Sequence, residues 1–221
     1  MDKEITDFGN KIIQDTYQKW LIYENQYKIW NYGFGVFYSP IYYQPDLMLI
    51  GYNVGGSEKD FSLQECLVIP DEHEYFLYNY KLARSQKNIW DNLNGVEVLR
   101  SSIKLNLNFF RSKSIAQWKT IPKSIRLDLE NFSINIVKEI ISNLEPKIII
   151  AEGIATYDEL LWKVFGIESS LSSKCEKRNK RRIFIDTLHY DRNILGIAHP
   201  SGCRLNNEDI QLIISNLKNY F

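Results

Sequence analysis

The stretch Leu47-Met48-Leu49-Ile50-Gly51-Tyr52-Asn53-Val54-Gly55-Gly56 joins a short apolar run to a glycine-rich turn that carries one amide side chain. Such a run is typical of a strand buried on both faces at the centre of a parallel sheet. The turn follows the carboxyl end of that strand, where open α/β sheets bind ligands. Its glycines allow backbone N–H groups to approach an anion or a ring closely. The spacing fits neither a P-loop nor a dinucleotide fingerprint, and an ordinary strand-to-loop turn is the alternative.

Length and composition favour one α/β domain over residues 1–221, with residues 1–45 forming an N-terminal helix and an extended lead-in. Hydrophobic residues make up 44% of the 221 residues, which excludes a disordered chain. No apolar run is long enough to span a bilayer and the N-terminus lacks a signal-peptide pattern, so we expect a cytoplasmic, monomeric protein without membrane contact. The three cysteines are far apart and lack CxxC spacing, so we expect free thiols, no metal and no cofactor.

The formal net charge is zero, but basic residues are concentrated in two runs. No acidic residue lies between Glu97 and Asp128, and a second run covers residues 174–182. One face of the molecule is therefore expected to be positive enough to contact phosphates. For the second run, a solvated flank of a hairpin is the alternative. The basic residues of the two runs are Arg100, Lys104, Arg111, Lys113, Lys119, Lys123 and Arg126, and then Lys174, Lys177, Arg178, Lys180, Arg181 and Arg182.

Helical and strand periodicities alternate along the chain. The pattern predicts helices over residues 2–31 and 124–144, and a helix within 84–99 that ends near Gly95. It also predicts a helix begun by a Thr156–Glu159 capping box and closed by Gly166, and a terminal helix capped near Asn206. Strands are predicted at 47–50, 103–110 and 147–151, followed by a hairpin of 182–187 with 193–198. This order predicts a three-layer α/β/α sandwich with a mostly parallel central sheet. Right-handed crossovers then bring the turns at 51–56, 106–111, 152–153 and 199–202 to one edge.

These turns resemble the motifs of the uracil-DNA glycosylase superfamily. The first motif of that superfamily, Gly-x-Asn-Pro-Gly, is similar to Gly51-Tyr52-Asn53-Val54-Gly55, and its second, His-Pro-Ser, matches His199-Pro200-Ser201. Between them, Leu105-Asn106 resembles the strand end that reads the base, and residues 146–153 resemble the third strand. The match covers residues 46 to about 205 in the expected order. Val54 in place of the proline marks a divergent branch.

The resemblance implies a DNA glycosylase that hydrolyses the N-glycosidic bond of a flipped-out damaged or modified pyrimidine and leaves an abasic site. Asn53 is expected to orient a water and His199 to donate a hydrogen bond to the departing base, with Glu58 or Asp60 as alternative bases. Asn106 is expected to read the base, and Tyr52 to shape the pocket. Phosphate contacts are expected from Gly55, Gly56, Ser57 and Ser201, and a wedge into the duplex from Arg204, or from Leu205 beside it.

Several alternatives remain at this stage. Asn106 is also an ordinary capping amide at a strand end, and Asn108 is the alternative reader. Phe61 and Phe76 are candidates for stacking on the base, while His73 and His189 are expected at the surface. Two biological roles compete, namely repair of uracil-type lesions and defence against phage DNA with modified bases. A non-catalytic module that binds uracil-containing or modified DNA, or a nucleotide, is the competing class.

Overall fold

The computed structural model describes residues 3–24, 32–53, 55, 59, 61–168, 174–201 and 205–221. A six-stranded sheet lies at its centre in the order β2-β1-β3-β6-β5-β4. The strands are β1 (Leu47–Asn53), β2 (Ile103–Asn108), β3 (Ile148–Glu152), β4 (Lys174–Arg178), β5 (Arg181–His189) and β6 (Arg192–Ile197). β2, β1, β3 and β6 are parallel, whereas β5 pairs antiparallel with both β6 and β4. The predicted mostly parallel sheet is confirmed.

Helices cover both faces of this sheet and complete the three-layer sandwich. Ile12 and Ile13 of α1 and the buried side of α7 pack on one face, which we call the first face. Tyr75, Trp90 and Leu99 pack on the opposite, second face, together with α9. The helices are α1 (Lys3–Leu21), α2 (Leu63–Cys66), α3 (Glu74–Leu77), α4 (Lys81–Asp91), α5 (Val96–Arg100), α6 (Ile115–Trp118), α7 (Lys123–Leu144), α8 (Ile154–Glu159) and α9 (Asn207–Leu217), and a π-helical segment, Leu160–Phe165, continues α8.

Local signals explain most of these boundaries. The chain leaves α7 through Glu145, which adopts a left-handed conformation immediately before Pro146. Gly166 ends the π-helical segment in the same conformation, as predicted. The side chain of Asn206 accepts a hydrogen bond from the backbone N–H of Asp209, and the Asp209 carboxylate accepts one from the backbone N–H of Asn206, so α9 starts with a capping box.

Three elements differ from the predicted ones. The helix predicted to end near Gly95 is present as α4, but a second helix, α5, follows it, because the chain turns at Asn94, where φ is +53°, before Gly95 caps α5. No capping box at Thr156 begins α8, which starts at Ile154 after Gly153 turns the chain with a φ of +131°. Residues 174–178 form an additional edge strand, since they pair with β5 although their sequence is highly charged.

Candidate active site at the carboxyl edge of the sheet

Strand β2 separates apolar from polar side chains within a fully buried segment. Ile103, Leu105 and Leu107 belong to the core of the first face. The alternate residues Lys104, Asn106 and Asn108 therefore lie on the second face, and they too are buried. A buried strand with three successive polar residues on one face indicates a polar site on that face, because buried polar groups require partners.

Gly51 of β1 gives the Asn106 side chain room to lie across the neighbouring strand. The two residues are opposite each other in the parallel pairing of β1 with β2. A Cβ on Gly51 would lie 2.1 Å from Oδ1 of Asn106 and 3.7 Å from Oε2 of Glu152, at the end of β3. The Asn106 amide and the Glu152 carboxylate therefore both border the space above Gly51.

The side-chain amide of Asn53 is oriented by a short chain of hydrogen bonds. Its Nδ2 donates to Oγ of Ser112 at 3.0 Å, and that hydroxyl donates to the carbonyl of Ser114 at 3.3 Å. Because a hydroxyl has one proton, Ser112 must accept from the amide nitrogen of Asn53. The amide oxygen of Asn53 is therefore the atom directed away from Ser112.

His199 packs over β3 and has a defined tautomer. A Cβ on Gly153 would lie 3.7 Å from Cβ and Cδ2 of His199. Nδ1 of His199 accepts from the backbone N–H of Ser201 at 3.3 Å, so in the neutral ring the proton is on Nε2. Burial lowers the pKa of His199, which favours this neutral form. The ammonium of Lys81 donates to the carbonyl of Ser201 at 2.8 Å and ties the turn to α4.

The ends of β1, β2, β3 and β6 lie along one edge, as the crossover rule predicts. β3 is the one strand between β1, which carries Asn53, and β6, which precedes His199. The backbones of β1 and β6 are thus two strand spacings apart, or about 10 Å. Asn53, Asn106 and His199 are brought to the same edge from three different strands.

A buried charged cluster lies under this edge, and the sequence reasoning missed it. Oε2 of Glu152 accepts from the Lys104 ammonium at 2.7 Å, while Oε1 accepts from the Gln86 amide at 2.6 Å and from the Tyr75 hydroxyl. The Lys104 ammonium also lies 3.7 Å from Oε1 of Glu74. The alternation of β2, which puts Lys104 on the same face as Asn106, was the available signal.

Opposing effects act on the ionisation of this cluster. Burial raises the pKa of Glu152, but the Lys104 ammonium and the hydrogen bonds together lower it by more than burial raises it. The net pKa of Glu152 is therefore below the ordinary value. Burial lowers the pKa of Lys104, yet Glu152 and Glu74 raise it above the ordinary value. Burial raises the pKa of Glu74 despite the opposing effect of Lys104. Lys104 and Glu152 are therefore an ion pair at neutral pH.

His73 belongs to the same region and is fully buried, so its predicted surface position was wrong. Its Nδ1 accepts from the backbone N–H of Tyr75 at 3.2 Å and caps α3. Nε2 has no hydrogen-bond partner within the described residues. Burial lowers the pKa of His73 to about 3, and the nearby Lys104 ammonium lowers it too. His189 is half-buried and its ring packs on Phe165 and Tyr190.

The other predicted site residues are distributed more widely. Tyr52 lies on the face of β1 opposite Gly51, and its hydroxyl donates to Glu159 at 3.4 Å, so it is not brought together with Asn106. Burial raises the pKa of Tyr52 to about 12. Gly55 is exposed, and its carbonyl accepts from the Arg111 guanidinium at 3.1 Å. Ser201 adjoins His199. Val54, Gly56, Ser57, Glu58, Asp60 and Arg204 lie outside the described residues.

The two phenylalanines considered for base stacking occupy other environments. Phe61 contacts Trp20 with ring centroids 5.7 Å apart, and a Cβ on Gly33 would collide with its ring. The ring of Phe76 lies under the Arg100 guanidinium at 4.0 Å.

Two surface depressions are lined by residues other than Asn53, Asn106 and His199. One is lined by Arg178, Asn179, Arg181, Asn206 and Asp209, the other by Phe76, Lys87, Asn88, Asp91 and Val96.

The basic runs are less uniform than their sequence indicates. Lys104, which was counted toward a phosphate-binding face, is buried in the ion pair. In the second run, Arg181 pairs with Asp209 at 2.8 Å and Arg182 pairs with Asp158. These residues flank the β4–β5 turn, which lies at the carboxyl edge because β5 runs antiparallel to β6. The second run thus lies in a hairpin of β4 and β5, as its alternative interpretation predicts.

Other kinds of site are little represented among the residues that the structure describes. Within the described ranges, no group of three or more His, Cys, Asp or Glu side chains is placed to hold a metal ion. Cys66 and Cys175 are free thiols. No helix in the described part of the chain is long and apolar enough to cross a membrane. In comparisons with known proteins, the chain matches no family model and no curated protein.

Proposed function

We propose that this protein is a DNA glycosylase that hydrolyses the bond between deoxyribose and a flipped-out damaged or modified pyrimidine, leaving an abasic site. The observation that carries the proposal is the convergence of Asn53, Asn106 and His199 on one edge of the sheet from β1, β2 and the turn after β6. These residues occupy the motif positions through which the chain resembles the uracil-DNA glycosylase superfamily. In this proposal the protein acts on DNA as a monomer in the cytoplasm.

The chemistry of the reaction suits the orientation of these groups. Breaking the N-glycosidic bond passes through an oxocarbenium-like sugar while negative charge develops on the departing base. A neutral His199 with its proton on Nε2 is a donor for a base carbonyl oxygen. The amide oxygen of Asn53, directed away from Ser112, is an acceptor that can orient a water below the anomeric carbon. A cationic sugar requires only a weak nucleophile.

Base recognition is assigned to Asn106, because a carboxamide offers one acceptor and two donors to the edge of a base. Extrusion of the base from a duplex requires a few kcal/mol. In the proposed complex this free energy is supplied by phosphate contacts, from Ser201, Gly55, Gly56 and Ser57, and by insertion of Arg204. Val54 in place of the superfamily proline favours a modified base over uracil, and thus a role in defence over one in repair.

Alkali-induced strand breakage tests this proposal. The protein is incubated with duplexes that contain uracil or other altered pyrimidines and with heavily modified phage DNA, and abasic sites are then cleaved with alkali. We expect breaks with at least one substrate, and Asn53→Ala or His199→Ala should reduce the rate about 10²–10³-fold. Asn143→Ala is the matched control, since the Asn143 amide donates to the carbonyl of Glu139 in its own helix, α7, on the opposite layer. Equal rates in Asn53→Ala and the parent protein would refute the proposal.

The second candidate is a module that binds altered DNA without cleaving it. The substitution of Val54 for proline favours it, because that position adjoins the proposed water-orienting residue. Tight binding to a modified duplex without any abasic product identifies this function. In both cases binding should weaken steeply with salt if the 174–182 hairpin contacts phosphates. Lys177→Gln and Lys180→Gln should then flatten the salt dependence, whereas an unchanged dependence would exclude the hairpin from the interface.

A further inference from the structure

The Lys104–Glu152 ion pair is an unusual feature to find buried on one face of a sheet. Glu152 is fully buried and Lys104 is 3% exposed. Burying two charges removes their hydration, and such pairs are often no more stabilising than apolar residues of the same size. The fold therefore has no evident energetic need for them on β2 and β3, whose other face is apolar. Their position relative to the candidate active site suggests another reason.

Glu152 is connected to the predicted catalytic and base-reading residues on both sides. The next residue, Gly153, provides the surface on which His199 packs. On the other side, Oε2 of Glu152 and Oδ1 of Asn106 both lie within 4 Å of the position that a Cβ on Gly51 would occupy. Lys104 lies two positions before Asn106 on the same face of β2, and its ammonium donates to Oε2 of Glu152 at 2.7 Å. Glu152 follows Ala151, which pairs with Ile50, so it is level with Gly51 and Asn106 across the sheet, and Lys104 lies two positions before that row.

We propose that Lys104 and Glu152 act as a positioning pair for the candidate site: the three hydrogen bonds to Glu152 fix the strand end under His199, and Lys104 neutralises its carboxylate below the base. This inference rests on the proposed function, because it assigns a purpose to the pair in that reaction. The departing base takes up negative charge, and an unpaired carboxylate beside Asn106 would oppose it. A neutralised, immobile carboxylate supports the site without that penalty.

The charged groups that act on His199 make this inference measurable. Burial lowers the pKa of His199 most strongly, the Glu152 carboxylate on β3 raises it, and the ammonium groups of Lys104 on β2 and Lys81 on α4 lower it. Removal of the Glu152 charge should lower the pKa of His199. Removal of the Lys104 charge should raise it, because the carboxylate is then no longer screened. Removal of both charges should leave the pKa near that of the parent protein.

The experiment uses the full chain and three variants, Glu152→Gln, Lys104→Met and the double variant. Titration of the His199 ring by NMR gives its pKa, and His73→Asn and His189→Asn assign the three histidine signals. We expect a downward shift in Glu152→Gln, an upward shift in Lys104→Met and little change in the double variant. In the excision assay, Glu152→Gln should lower kcat with KM unchanged, and the acid limb of its kcat profile should shift downward with the His199 pKa.

The control is an ion pair on the opposite layer, Lys19 with Asp128, whose nitrogen and oxygen are 2.6 Å apart. Lys19→Met/Asp128→Asn should leave the His199 titration and kcat unchanged. The inference is wrong if the His199 pKa is the same in every folded variant, or if none of the three variants folds, since the pair would then be a requirement of the fold alone. If the titration shifts as expected but the parent protein excises no base, the electrostatic coupling stands and the glycosylase proposal fails.

Discussion

The two faces of the sheet use buried polar groups in different ways. On the first face these groups are neutral: Thr16 and Ser133 donate hydrogen bonds to carbonyls of their own helices, and the hydroxyls of Thr187 and Tyr157 bond to each other. On the second face the buried groups include the ionised Lys104 and Glu152, which come from different strands. The first face has the pattern of a core that stabilises a fold, and the second has the pattern of a site.

This contrast indicates where the fold and the proposed function can be separated by mutation. A neutral hydroxyl that bonds to its own helix can be lost at little cost, because the helix keeps its backbone bonds. Removal of one partner of a buried ion pair costs more stability, because the remaining charge is left without water or a counterion. Substitutions on the second face should therefore combine large effects on stability with effects on the site.

The largest expected effect is that of Glu152→Leu. This substitution leaves the Lys104 ammonium without its closest counterion and the Gln86 amide without its acceptor. We expect the free energy of unfolding to fall by about 3–5 kcal/mol in urea denaturation. The control, Asp128→Ala, removes a partly exposed carboxylate on the first-face layer and should cost about 1 kcal/mol or less. Equal losses in the two variants would contradict the proposed difference between the faces.

Two glycines offer a matched pair of substitutions, one on each face. A Cβ on Gly196 would lie 2.7 Å from both Ile185 and Tyr157 in the apolar core, so Gly196→Ala should cost about 1–3 kcal/mol by overpacking. A Cβ on Gly51 would instead meet the end of the Asn106 side chain, which can rotate away. Gly51→Ala should therefore cost less stability than Gly196→Ala.

The excision assay separates these two glycine variants further. Gly51→Ala displaces the Asn106 amide, so it should reduce base excision per folded molecule. Gly196→Ala should leave that rate unchanged, since its neighbours are core residues. Denaturation curves and excision rates for both variants provide the test. A Gly51→Ala variant with full excision activity would mean that the position of Asn106 does not matter.

His73 makes the stability of the second face dependent on pH. Its pKa is about 3 in the folded protein, against an ordinary value of 6.5. The unfolded chain therefore binds more protons between these pH values, so stability is complete above about pH 6.5 and is lost as pH falls toward 3. The loss between pH 7 and pH 5 should be about 2 kcal/mol.

Replacement of His73 by Asn tests this origin of the acid sensitivity. An Asn side chain can still cap α3, but it does not titrate. The Lys104, Glu152 and Arg100 charges that act on His73 remain in place, so they contribute to both proteins. The difference in unfolding free energy between His73→Asn and the parent protein should change by about 2 kcal/mol from pH 7 to pH 5. A constant difference would show that other groups cause the acid sensitivity.

The fold was largely predictable because its signals are local. The apolar runs of β1 and β3, the alternation of β2 and the capping residue Asn206 each lie within a few positions. β4 was missed because an exposed edge strand needs no apolar side, and its five residues are mostly charged. Lys104 within β2 was visible in the sequence as a polar residue, but it was counted as part of a basic surface.

The candidate site was predictable only in part. The motif residues Asn53 and Asn106 lie in the carboxyl-terminal halves of β1 and β2, and His199 follows β6, so topology was sufficient to bring them to one edge. The pairing of Lys104 with Glu152 joins residues from separate strands, and no local pattern encodes it. The other donors, Tyr75 and Gln86, lie in α3 and α4, and their orientation depends on how these helices pack on the sheet.

The smallest expected effect is that of Thr16→Val on the first face. The Thr16 hydroxyl is fully buried, and it donates to the carbonyl of Ile12 at 2.9 Å, one turn earlier in α1. That carbonyl keeps its backbone hydrogen bond, and valine fills the same volume, so the free energy of unfolding should change by no more than about 0.5 kcal/mol. Ser133→Ala is the comparison, because the Ser133 hydroxyl also accepts from the backbone of Phe109 at 3.3 Å. That loss should cost about 1 kcal/mol. If Thr16→Val proved as costly as Glu152→Leu, burial alone would set the cost, and the charged cluster on the second face would need no functional explanation.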